Sequence, residues 1–158
     1  MSSDFIAQKR KISEDIPMAI KMRILYASGK KKIQAFANAI KAQYDLAFNS
    51  VDVIPPAYSC DKERIVVLAV SAKGELSDPV ERFCKELTKA RAQNVALMVD
   101  GDQAAADKLK ALLTEAGTNV IEEVLFVNGG FPIFGTNPKP EEKKAVFEWI
   151  DRVTENLK

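Results

Sequence analysis

The chain has 158 residues, 47% of them hydrophobic, which suffices for one well-buried domain, and a formal charge of +1, which gives no global field for nucleic acid or an acidic membrane surface. It contains no histidine and two well-separated cysteines, Cys60 and Cys84, so histidine-dependent nucleophiles, the commonest zinc ligand, a CxxC pair and a disulfide framework are all excluded. The cysteines read as small apolar residues.

Residues 1–21 stand outside the pattern that follows. Phe5, Ile6, Ile12 and Ile16 recur loosely around Lys9-Arg10-Lys11, as in an arm lying on the domain or docking a partner, and scattered charges interrupt any secretory apolar region. No apolar run approaches the roughly 20 residues of a membrane span, so a cytoplasmic protein with no membrane or nucleic-acid partner is expected.

From residue 22 to 158 the pattern alternates. "MRILYA" (Met22 to Ala27) is a short apolar strand ending in a Ser28-Gly29 turn, and Lys30 to Tyr44 then places Ile33, Phe36, Ala37 and Ile40 on one helical face. "FNSVDVI" (Phe48 to Ile54) is a second strand closed by Pro55-Pro56. "RIVVLAVS" (Arg64 to Ser71) is apolar nearly throughout, the composition of a central parallel strand covered on both faces. Ser77-Asp78-Pro79 starts a second helix, with Val80, Phe83, Cys84 and Leu87 as its apolar stripe. "NVALMVDG" is a fourth strand, and the helix from Gln103 to Glu115 buries Ala106, Leu109, Leu112 and Leu113 before Gly117 stops it. "NVIEEVLFVNGG" is a fifth strand and its turn. A loop containing Phe131 and Phe134 precedes a last helix from Glu141 to about Leu157, with Val146, Phe147, Ile150, Val153 and Leu157 on its buried side.

Strands alternating with helices imply right-handed crossovers and a doubly wound, five-stranded parallel sheet between two helical layers, with strand order 2-1-3-4-5. A ligand in such a sheet sits beyond the carboxyl ends of the strands, between the first and third for this order. Ser28 to Lys32 and Ser71 to Pro79 meet there, with Asp100 and Gly101 ending the neighbouring strand.

Carried by "RILYAS", "VVLAVSAKGELSDPVERF", "NVALMVDG" and "LLTEAGTNVIEEVLFVNG", the chain from Met22 to Leu157 resembles the flavodoxin family. The resemblance implies a domain built around, or descended from, an FMN site, with Ser28, Gly29, Lys30, Lys31, Ser71, Ala72, Lys73, Gly74, Asp100 and Gly101 at the cofactor-binding positions. Flavodoxins hold the FMN phosphate with a loop reading roughly Ser/Thr-x-Thr-Gly-x-Thr, whose hydroxyls and amides replace water at a helix N-terminus. Here the loop is "YASGKKKI": both threonines are missing, and it is shorter than the usual one. Lys73 stands where an aromatic often faces the flavin ring.

Two function classes follow. In the leading one the scaffold has weak or lost FMN binding and serves as a binding or structural module. The alternative is an FMN flavoprotein carrying electrons between redox partners. Lys30, Lys31 and Lys32 beside a helix N-terminus form a candidate anion site independent of flavin. Asp100 and Asp102 read as turn and capping residues, and Tyr58, Phe131 and Phe134 as candidate lid residues. The acid clusters of a response-regulator receiver, the P-loop and the GxGxxG fingerprint are all absent, so nucleotide hydrolysis has no local support.

Overall fold

A computed structural model of the chain describes residues 21–44, 50–129, 137–155 and 157. Residues 1–20 of the arm, Phe48, Phe131 and Phe134 lie outside the described residues.

Among the described residues ten elements follow in chain order: β1 (Met22–Ala27), α1 (Lys31–Gln43), β2 (Ser50–Val53), β3 (Glu63–Ala72), α2 (Asp78–Glu86), β4 (Ala92–Gly101), α3 (Gln103–Ala116), β5 (Asn119–Val120), β6 (Leu125–Phe126) and α4 (Pro140–Glu155). Every strand pairing is parallel, in the order β2-β1-β3-β4-β5, and β6 also pairs with β4. The strand richest in apolar residues is central, as its composition requires. Val66, Leu68 and Val70 point to the layer formed by α2 and α3, while Ile65, Val67 and Ala69 point to the layer formed by α1 and α4. Burying each Val, Leu or Ile of this run is worth about 1.5–3 kcal/mol, so the middle strand anchors both layers. Among the described residues no helix is long and apolar enough to cross a membrane.

The helical faces follow the apolar spacing. Ile33, Phe36, Ala37 and Ile40 are all buried on α1, and Val146, Ile150 and Val153 on α4. Trp149, absent from the predicted stripe, is also fully buried on α4. Its indole N–H has a reason to be there: it donates to the Glu123 carbonyl at 3.0 Å.

That carbonyl belongs to the main departure from expectation. The fifth strand is not continuous but consists of two short pieces, β5 and β6. β5 matches Asn94 and Val95 to Asn119 and Val120, whereas β6 matches Met98 and Val99 to Leu125 and Phe126. Ala96 and Leu97 therefore face four residues, Ile121 to Val124, and the outer chain must buckle. The buckle is held from both layers. Lys110 of α3 donates to the Glu122 carbonyl at 3.3 Å, and Arg152 of α4 clasps the Glu123 carboxylate at 2.6 Å.

Candidate functional site

At the carboxyl ends of β1, β3 and β4 the chain brings four polar side chains together. Ser28 follows the last residue of β1, Lys30 is the N-cap of α1, Ser71 is the penultimate residue of β3, and Asp100 is the penultimate residue of β4, paired in register with Ser71. The Lys30 ammonium reaches the Asp100 carboxylate at 2.9 Å. Ser71 Oγ lies 2.9 Å from the same carboxylate oxygen and 2.7 Å from Ser28 Oγ, which in turn accepts the Lys30 backbone N–H at 3.0 Å.

The direction of these bonds is fixed by chemistry. An ionised carboxylate only accepts, so Ser71 spends its single proton on Asp100; Ser28 must then donate to Ser71. Both hydroxyl protons point into the protein. Burial raises the Asp100 carboxyl, but the hydrogen bonds from Lys30, the Gly129 amide and Ser71 outweigh it and hold the group below its ordinary value of 3.8. Asp100 is therefore a charged resident of the site at neutral pH.

Two glycines allow the close approach. A Cβ on Gly129 would overlap the Asp100 carboxyl and stand 2.8 Å from Lys30 Cδ, and one on Gly101 would strike the Ala72 carbonyl of the neighbouring strand.

The other predicted positions serve neighbouring turns. Gly74, at φ +78°, donates its N–H to Asp102 at 3.0 Å, and the same carboxylate oxygen caps α3 by accepting from Ala105 N at 3.0 Å. The Ala105 and Gly74 amides lower the Asp102 pKa. Lys73 and Gly29 are exposed. The three lysines diverge. Lys31 is exposed, while Lys32 is buried and donates to Glu142 of α4 at 2.9 Å. The second Glu142 oxygen accepts the Lys139 amide at 2.8 Å, half of a capping box for α4. Tyr58 is 81% exposed, but its carbonyl accepts from Arg23 near the amino end of β1, which sets it at the opposite end of the sheet from Asp100.

Asp100 was legible as a turn residue and not as the partner of Lys30. The signal that finds it is register: strand ends aligned on their apolar runs place Ser71 beside Asp100 and Ser28 beside both.

As an FMN phosphate site this set does not fit. The Ser71 proton and the Lys30 ammonium that a phosphate would require are bound to an internal carboxylate, the Ser28 proton is spent on Ser71, and the carboxylate charge repels a dianion at close range.

No protein-family model and no curated protein sequence matches the chain. Solved structures do match in fold. A short-chain flavodoxin associated with a PDU bacterial microcompartment superposes with a TM-score of 0.63 at 14% identity, covering 86% of this chain and 97% of that one. Oxidised flavodoxin 2 from Bacillus cereus gives 0.61 at 18% identity, covering 85% and 98%. A flavodoxin from the domain Archaea gives 0.61 at 16% identity, covering 86% and 97%. The fold is flavodoxin-like.

Proposed function

We propose that this chain is a divergent flavodoxin-like domain in which FMN binding is weak or lost, and which serves as a binding or structural module for another protein in the cytoplasm. The observation that carries the reading is the 2.9 Å pair between Lys30 and Asp100, with the Ser71 proton given to the same carboxylate and the Ser28 proton to Ser71. Neither threonine of the usual loop is present to supply replacement hydroxyls, and Lys73 offers no ring face for stacking.

The test is direct. The purified protein is expected to show no flavin absorption, and titration of FMN with apoprotein, followed by flavin fluorescence, should give micromolar or weaker affinity. A nanomolar Kd would overturn the module reading in favour of an electron-carrying flavoprotein.

A further inference from the structure

The donors that surround a phosphate oxygen in other proteins are present at this switch point, but their acceptor is part of the chain. A charged ammonium from Lys30, a hydroxyl from Ser71 and the amide of Gly129 all converge on the carboxylate of Asp100. Its side chain is 11% exposed and that of Lys30 33%. Three donors of different origin, from β3, the α1 entrance and the turn after β6, aimed at one small anion form an anion cradle of the kind built for carboxylates and phosphates.

We propose that Asp100 is an internal anion that sets the specificity of this site: it excludes phosphoesters by holding their donors, and its neutralisation opens the cradle to an external phosphoester. This inference rests on the module reading and deepens it by assigning the loss of phosphate affinity to one residue rather than to the missing threonines alone.

Two physical effects favour the resident carboxylate over any ligand in solution. It is delivered by a rigid strand end, so its effective concentration at the cradle far exceeds that of a free ligand. It also repels a second anion across a few ångströms of partly desolvated space. Once the charge is removed, the Lys30 ammonium becomes a partly buried cation without a counter-charge, and binding an external anion is the route by which that is relieved. The other two lysines do not substitute for it, since Lys32 is engaged by Glu142 and Lys31 is solvated at the helix surface.

The experiment compares the parent chain with Asp100→Asn and Asp100→Ala, the second removing the acceptor oxygen that asparagine retains. Each is titrated calorimetrically with inorganic phosphate, FMN and riboflavin at low and moderate ionic strength, after thermal unfolding has shown that the variants fold. The expected result is that at least one folded variant binds phosphate and FMN on the order of tenfold or more tightly than the parent, with a gain that weakens as salt rises. Riboflavin affinity should be unchanged, and adding Lys30→Gln should abolish the gain. Failure of both folded variants to bind phosphate better overturns the inference while leaving the module reading intact. An equal gain for riboflavin, or a gain that survives Lys30→Gln, also overturns it by locating the effect away from the phosphate cradle. Nanomolar FMN binding by the parent refutes the module reading, and the inference with it.

Discussion

Arg23 and Glu63 meet at 3.5 Å across the β1–β3 pair, with only 10% and 5% of their side chains exposed. Arg23 also donates to the Tyr58 carbonyl at 2.9 Å, yet among the described residues its Nε and Glu63 Oε1 lack hydrogen-bond partners, the half-exposed Lys21 ammonium standing 3.9 Å from the latter. Breaking such a pair on one side strands a buried charge, whereas replacing both members removes the desolvation penalty as well. Arg23→Met alone should therefore lose about 3–5 kcal/mol of stability, and the double variant Arg23→Met, Glu63→Leu should regain most of it. Denaturant unfolding of the four proteins in the cycle measures this. A double variant as unstable as the sum of the single ones would show that the pair is not an isolated unit.

Acid should unfold this protein partly through two carboxylates. Asp100 and Glu142 both titrate below their ordinary values of 3.8 and 4.5: burial opposes the shift in each, and the lysine and amide bonds outweigh it. A depressed carboxylate contributes stability that is fully present above its unfolded pKa and is lost as pH falls through its folded pKa. The melting temperature should accordingly hold from neutral pH to about pH 5 and fall steadily below it. Asp100→Asn should flatten that acid limb; an unchanged limb would mean that the Lys30 pair does not persist in solution.

Gly101 and Gly129 should tolerate a methyl group unequally. At Gly101 the obstacle is the Ala72 carbonyl, a backbone atom fixed in the β3–β4 ladder, while at Gly129 it is the movable ends of Asp100 and Lys30. Overpacking typically costs about 1–3 kcal/mol, and Gly101→Ala belongs at the upper end or beyond it. Gly129→Ala should be milder in thermal unfolding, because Asp100 and Lys30 can shift. The reverse ranking would contradict this account of the strand ends.

Both cysteines should be silent toward thiol reagents in the folded protein. Cys84 is fully buried, and burial pushes its thiol up to about 12; Cys60 is 3% exposed and is also raised by burial. The thiolate is the reactive form, so labelling should wait for unfolding and follow its rate or population. Labelling under native conditions at the speed of a free thiol would show that Cys60 or Cys84 samples solvent by a local opening.

Strand order was readable because apolar length separates a central strand from edges: "RIVVLAVS" could only sit where both faces are covered, and β3 does. The apolar helical faces were readable for the same reason of periodicity. Destinations of charged side chains were not. Lys30, Lys31 and Lys32 are adjacent in sequence, but Lys30 is an extended N-cap and the helix then turns by about 100° per residue, so one reaches toward β4, one goes to solvent and one to α4. Trp149 was missed because its indole needs a carbonyl partner that only the buckled edge supplies. The buckle itself had a sequence sign, the adjacent acids Glu122 and Glu123 inside an apolar run, which fit poorly on one side of an evenly pleated strand.

That buckle also bears on how the molecule behaves in company. An open parallel sheet ends in a row of amides and carbonyls that a second copy of the same strand can zip onto, given a straight and apolar margin. Here the margin is cut after two residues, resumes two residues out of step, and carries an arginine-clasped glutamate at the break. Among the described residues, a strand arriving from another molecule finds no uninterrupted ladder along this side.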